Sequence, residues 1–117
     1  RAVKDFVIHG GDPKGDGTGG PGYSVVTEWP KDAYKTGDLA WAKSGAEPAG
    51  SAGSQFFVTT GDPSALNGTK QGSQYDYGYF GHVTSGLDNA KKIESLSPGD
   101  GAPSVPVYIT KVTITES

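Results

Sequence analysis

Hydrophobic positions in this chain come in short bursts separated by glycine, proline and small polar residues. Phe6, Val7 and Ile8 form one burst and predict a short buried strand. Residues 39–42, Leu-Ala-Trp-Ala, predict a second, and SQFFVTT at residues 54–60 is the clearest strand in the sequence. YGYFGHV at residues 77–83 predicts another, and residues 107–115, β-branched almost throughout, predict a closing strand whose alternation slips near Lys111. Residues 24–34 mix Val25 and Val26 with Trp29 and Pro30 and read as a loop or edge strand. One segment has helical character. Ser85-Gly86-Leu87-Asp88 fits the relaxed capping box, so residues 87–96 should be helical, with Pro98-Gly99 as the stop. The long stretch after Ile8 and the polar loop at residues 61–76 connect these elements, and Leu66 is the one residue of the second loop that looks buried. No internal repeat or heptad emerges.

Strand parity makes residues 54–60 informative. Successive side chains alternate faces, so Gln55, Phe57 and Thr59 share one side while Ser54, Phe56 and Val58 share the other. Two readings fit. Both rings are core, one in each layer of a two-sided sheet, or one ring is core and its neighbour lines a binding surface. Gln55 favours the second, because an amide beside an exposed aromatic makes a surface that is apolar and also able to hydrogen-bond a peptide.

Composition narrows the class. A chain of 117 residues holds one domain at most. Its 19 glycines and 8 prolines are spread between the apolar bursts, as in a β-dominated barrel or sandwich with many turns. A net charge of -3 without any basic run argues against nucleic acid or an anionic membrane as the main partner. The absence of cysteine excludes a disulfide scaffold, a thiolate metal site and a cysteine nucleophile. The compartment stays open between cytoplasm and an exported cell-envelope domain, since the sequence starts at Arg1, close to an apolar strand, and reads as an excised segment.

Several motifs tempt and fail. The stretch GGDPKGDGTGGPG, residues 10–22, contains Gly15, Gly17 and Gly20 in the G-x-G-x-x-G spacing, but Pro21-Gly22-Tyr23 follows where a dinucleotide fold needs a helix. Asp12, Lys14 and Asp16 imitate the start of a calcium loop with a lysine where an oxygen ligand is required. His9 and His82 lack ligand spacing and read as partly buried or surface histidines, so no metal is expected. Asn67-Gly68-Thr69 fits a glycosylation acceptor, a pattern common by chance. No nucleophile, base and acid set is visible.

One combination is specific. The series R-x4-FVIxGGD, GTGGPGY, LAWA, GSQFFVTT and YGYFGHV resembles the cyclophilin-type peptidyl-prolyl cis-trans isomerases, of a bacterial-like kind, over nearly the whole chain. The resemblance implies a mainly β fold, an antiparallel eight-stranded barrel with capping helices, of which residues 1–117 are the C-terminal two-thirds, lacking the first strands and first helix. It implies rotation of X–Pro amides in peptides and folding proteins, with no cofactor. Proline-containing peptides and unfolded or flexible protein segments are the implied partners.

Residue by residue, Arg1 falls on the family's catalytic arginine, and Gln55 and Phe57 on its peptide-binding glutamine and the floor of its proline pocket. Phe6 and Val7 fall on pocket walls, and His9 on a position that is commonly glutamine. Parity sends Phe6 and Val7 to opposite faces, so both reach the pocket only if the chain bends there. Ala42, Lys43 and Ser44 match the segment whose backbone pairs with the bound peptide, Lys43 replacing a usual asparagine, and Leu66 and Tyr77 complete the apolar pocket. Ala65 stands where many members carry a tryptophan, so weak binding of cyclosporin-type ligands is expected. The glycine-rich stretch becomes a turn system bordering the groove. Without the opening strands the segment should expose strand edges and apolar surface, which leaves open that it is inactive or poorly folded alone. The runner-up is a proline-peptide binding or scaffold domain of the same fold with little catalysis.

Overall fold

The structure, a computed structural model, describes residues 1–67 and 76–117. Its elements in chain order are β1 (Ala2–Val3), β2 (Val7–Gly10), β3 (Val25–Val26), β4 (Asp38–Trp41), β5 (Ser51–Ala52), β6 (Phe56–Thr59), α1 (Ser64–Asn67), β7 (Tyr79–His82), α2 (Leu87–Glu94) and β8 (Asp100–Gly101). Six strands form one antiparallel sheet in the order β7-β4-β6-β2-β1-β8, and β3 pairs with β5 in a separate ribbon. The strands expected near residues 6–8, 39–42, 54–60 and 77–83 are all present with trimmed or shifted ends.

The centre of the sheet is the pairing of β6 with β2 on one side and β4 on the other. His9 and Ala40 both lie opposite Phe57, so these three side chains share a face, while Gly10 and Trp41 lie opposite Phe56 on the other face. The first face carries the core: Val7, Ala40, Phe57, Leu66 and Tyr34 pack together, with Phe6 and Tyr77 against them. On the second face Phe80 stacks on Trp41 at 4.2 Å between ring centroids and meets Phe56 edge-on at 6.3 Å. A register shift between Leu39 and Ala40 in the β4–β7 pairing accompanies this arrangement. Tyr79 stays with the core while Phe80 and Gly81 approach the second face, where Gly81 sits close to the Leu39 side chain.

The short hairpin from β1 to β2 resolves the parity conflict between Phe6 and Val7. Asp5 adopts φ 57°, and the Phe6 N–H donates to Val3 O at 3.2 Å, so the chain turns immediately before β2. Phe6 lies in the turn and escapes the alternation that governs Val7. Gly61 packs on this turn, with its N–H and that of Thr60 donating to Phe6 O.

Two expectations are corrected. Residues 107–115 form no strand; Tyr108 is 79% exposed and Ile114 81%. β-branched composition favours a pleated surface but makes a strand only where a neighbouring edge completes the ladder, and none of the described strands pairs with this segment. Among the described residues the sheet is open, ending at β7 and β8, and no closed eight-stranded barrel is formed. Ser85 does not cap α2. Gly86 is the N-cap, at φ 87°, with no side-chain hydrogen bond, because the left-handed glycine turn already brings the chain into the helix. The glycosylation pattern runs into residues 68–75, which lie outside the described residues.

A Cβ on Gly61 would fall 2.1 Å from the carbonyl carbon and oxygen of Asp5 and 2.7 Å from Phe6 N. Gly61→Ala should therefore destabilise the fold by about 1–3 kcal/mol. A urea titration checks this, and an unchanged midpoint would show that the turn is not held as described.

Candidate functional site

Beside the core face lies a cavity of about 250 Å³ whose lining includes Arg1, Phe6, Val7, Phe57, Leu66 and Tyr77. His9, Ala42, Lys43 and Ala65 complete it. These residues come from the first hairpin, the segment following β4, β6, α1 and the segment before β7, so the cavity depends on the sheet that orders them. Phe57 is 5% exposed and Leu66 3%. Tyr77 meets the Phe57 ring edge-on with centroids 5.5 Å apart. Every residue assigned to the site from sequence lines the cavity except Gln55 and Ser44.

Gln55 stands at its border and ties the glycine-rich stretch to the sheet. Its Nε2 donates to Gly19 O at 2.6 Å and Gly17 O at 3.1 Å. Those carbonyl acceptors fix the orientation of the amide, so Oε1 must accept the 2.8 Å bond from His9 Nε2, and His9 carries its proton on that nitrogen. The stretch has its own internal order. Asp12 accepts from the backbone N–H groups of Lys14 and Gly17, and Asp16 from the N–H and hydroxyl of Thr18. Desolvation opposes ionisation of Asp12, but these N–H groups outweigh it and hold the carboxyl below its usual range; the Thr18 hydroxyl, then its N–H, does the same for Asp16. The carboxylates that imitate a calcium loop are thus satisfied by the chain itself. Glycine is required at two places here: a Cβ on Gly11, at φ 83°, would fall 2.2 Å from Ser54 O, and one on Gly19 2.0 Å from Asp12 Oδ1.

Lys43 behaves differently from a surface lysine. Its side chain is 4% exposed, its Nζ pairs with Asp76 at 2.8 Å, and the ammonium lies 5.4 Å from the centroid of Tyr77. The pair fastens the segment carrying Tyr77 to the continuation of β4. Ser44 points elsewhere: its N–H donates to Glu47 Oε2 and its carbonyl accepts from the Glu47 N–H. Arg1, also in the lining, is held by Asp100, Nε to Oδ1 at 2.7 Å and Nη2 to Oδ2 at 2.8 Å. That hydrogen bond raises the guanidinium pKa further and lowers the Asp100 carboxyl below its usual value.

Asp76 and Asp100 were not found from the sequence. Asp100 is separated from Arg1 by almost the full chain and follows a Pro-Gly helix stop, so only its adjacency to a turn was visible. A second cavity, about 570 Å³, lies elsewhere and is lined by charged residues such as Glu28, Lys31, Asp32 and Asp38 together with Trp29 and His82. It is larger but contains none of the expected residues, and its charged walls suit a proline ring poorly. In it Asp38 Oδ1 bonds His82 Nδ1 at 2.8 Å, a link between the facing strands β4 and β7.

Comparison with known proteins gives the family. Residues 1–114 match the family model for cyclophilin type peptidyl-prolyl cis-trans isomerase/CLD. The chain belongs to that family. It is 36% identical over 118 residues to the probable peptidyl-prolyl cis-trans isomerase A of Mycobacterium leprae, covering 97% of this chain and 60% of that protein. It is 39% identical over 102 residues to peptidyl-prolyl cis-trans isomerase B of Bacillus subtilis, covering 86% and 62%. Against peptidyl-prolyl cis-trans isomerase cypE of Dictyostelium discoideum it is 36% identical over 118 residues, covering 97% and 69%. The chain thus spans about three-fifths of the length of the first two relatives. The cyclophilin-type assignment and the mainly β sheet agree, although the described sheet is open. No helix among the described residues is long and apolar enough to cross a membrane.

The buried setting of His9 gives a pH dependence. Burial lowers its pKa by more than the bond to Gln55 raises it. The unfolded chain therefore binds more protons than the native one below about pH 6.5, so stability present above that value is lost as pH falls towards the lowered folded pKa. His9→Gln should flatten this dependence. Urea unfolding at about pH 7.5 and about pH 5 checks it, and an equal loss of stability in both proteins would contradict it.

Proposed function

We propose that this chain catalyses the cis-trans rotation of X–Pro bonds in peptides and in unfolded or flexible protein segments. The observation that carries the reading is that Arg1 lines one largely apolar cavity together with Phe6, Phe57, Leu66 and Tyr77. Rotation about an X–Pro bond faces a barrier of about 18–20 kcal/mol because the amide is resonance-stabilised. No bond is broken, so the catalyst needs only to bind the twisted amide more tightly than either planar form. As the amide twists, its nitrogen regains a lone pair that a guanidinium can hydrogen-bond, and a planar amide offers no such acceptor. Arg1 is the donor in this reading.

The remaining residues restrict which torsion moves. Phe6, Val7, Phe57, Leu66 and Tyr77 enclose the proline ring, with Lys43 and Asp76 fastening Tyr77 in place. Ala42 and Lys43 supply the strand-like edge for the peptide backbone, whereas the N–H and carbonyl of Ser44, also assigned to that edge from the sequence, are taken up by Glu47. Gln55 is fastened to the carbonyls of Gly17 and Gly19, and to hold a substrate carbonyl its Nε2 must exchange one of those partners. Ala65 leaves the rim low beside Leu66, which favours weak binding of cyclosporin-type ligands. Rotation breaks no bond, so the scheme calls for no cofactor.

Binding of proline peptides without turnover is the second reading. The observation in its favour is that Asp100 already engages Arg1 on two atoms. The two readings separate on Arg1→Ala. Catalysis predicts that turnover in a protease-coupled or NMR exchange assay falls by about a hundredfold, the scale of removing one transition-state donor, while peptide affinity is largely kept. Equal loss of affinity and turnover would identify a binding module, and full retention of turnover would refute the role of Arg1.

A further inference from the structure

We infer that Asp100 is a positioning residue that aims the Arg1 guanidinium across the cavity, an inference that rests on the isomerase reading above. Arginine side chains are long and rotamer-rich, and one at the rim of a groove with 53% of its side chain exposed would ordinarily sample many orientations. Here it is held on its Nε and Nη2 edge by both oxygens of one carboxylate, a planar two-point contact that fixes the guanidinium plane as well as its place. Among the described residues, no acceptor takes the hydrogens on Nη1 or the second hydrogen on Nη2.

The carboxylate is itself pre-organised. Asp100 sits between Gly99 at φ 123° and Gly101 at φ 153°, conformations that side chains rarely adopt, so the turn depends on its flanking glycines. That turn is fastened to the strand next to Arg1. Val3 and Ala2 pair with Asp100 and Gly101, the Lys4 N–H donates to Gly99 O at 2.8 Å, and the Ser97 hydroxyl donates to Ala2 O at 2.7 Å. Arginine and aspartate are thus carried by two adjacent strands of one sheet, and their relative placement is set by backbone pairing, independently of the side-chain contact.

The pair is half exposed, so its contribution to folding is small. Its effect lies in orientation. A guanidinium left to wander would meet the twisted amide nitrogen less often, lowering the rate of the chemical step without altering how the proline ring is bound. Screening by salt should weaken the restraint in the same way.

The test compares wild type, Asp100→Asn and Asp100→Glu in the protein's isomerase assay with an X–Pro peptide at low ionic strength. Asp100→Asn is expected to lose about two- to fivefold in kcat with KM unchanged, the range an exposed charge pair can supply. Asp100→Glu should recover most of that loss, and the gap between wild type and Asp100→Asn should close in about 1 M salt. The backbone pairing of Asp100 does not use its side chain, so both variants are expected to fold. Slowed exchange of the Arg1 Nε–H resonance, present in wild type and lost in Asp100→Asn, is the second readout. Unchanged or increased kcat in Asp100→Asn, or a change confined to KM, would overturn the inference. If Arg1→Ala abolishes turnover while Asp100→Asn does not alter it, only the positioning role fails. If Arg1→Ala also keeps wild-type turnover, the isomerase reading fails with it.

Discussion

Everything in this structure follows from the two-sidedness of one short strand. β6 is paired on both edges, so its side chains have only the two sheet faces to occupy, and period-two alternation gives consecutive phenylalanines opposite duties. Phe57 enters the core beside Val7, Ala40 and Leu66 and forms the base of the cavity. Phe56 turns to the other face and meets Phe80, which stacks on Trp41. A slip of one residue in the pairing of β6 would exchange these roles and remove the floor of the site. Fixed registry with β2 and β4 on either side is what prevents it.

Around that floor the protein alternates soft and hard restraints. The apolar walls are held by packing, while the borders are held by polar pairs reaching across long sequence separations: His9 to Gln55, Gln55 to the carbonyls of Gly17 and Gly19, Lys43 to Asp76 and Arg1 to Asp100. Their energetic weights differ. The buried Lys43 ammonium needs its carboxylate, because a charge taken from water without a partner is costly. Arg1 and Asp100 remain in contact with solvent, and their pairing has more to do with aim than with stability. Glycine at positions 11 and 19 lets the loop backbone approach Ser54 and Asp12 closely enough for Gln55 to reach across.

Much of this was legible in the residues. The alternation of residues 54–60 put the two phenylalanines on opposite faces but left their roles open, and the aromatic beside Gln55 is the buried Phe57, not an exposed ring; the family resemblance named the cavity lining almost completely, because these side chains sit at sequence positions marked by strands and glycines. The bend that lets both Phe6 and Val7 face the cavity was required by parity, yet its form, a left-handed Asp5, could not be read from residue types that seldom adopt that conformation. Asp100 escaped notice because its partner is remote in sequence, and no local pattern records a contact made through adjacent strands. Ser85 misled for a related reason: the capping box describes a hydrogen-bonding option, and Gly86 offered a cheaper turn. Residues 107–115 carry strong β propensity, but propensity describes how a residue fits a sheet and cannot supply the neighbouring edge. In the structure that segment is exposed, with Ile109 near Gly10 as its point of approach to the sheet.

The central claim is that a proline ring sits on Phe57 with its imide nitrogen turned towards Arg1. Titration of the protein with an isotope-labelled X–Pro peptide, followed by intermolecular NMR contacts, tests it most directly. The account predicts contacts from the proline ring protons to Phe57, Leu66 and Tyr77, upfield shifts of those protons, and exchange between cis and trans signals. Contacts concentrated instead on Trp29, Tyr79 and His82, in the larger charged cavity, or no contact at Phe57 under saturating peptide, would contradict it.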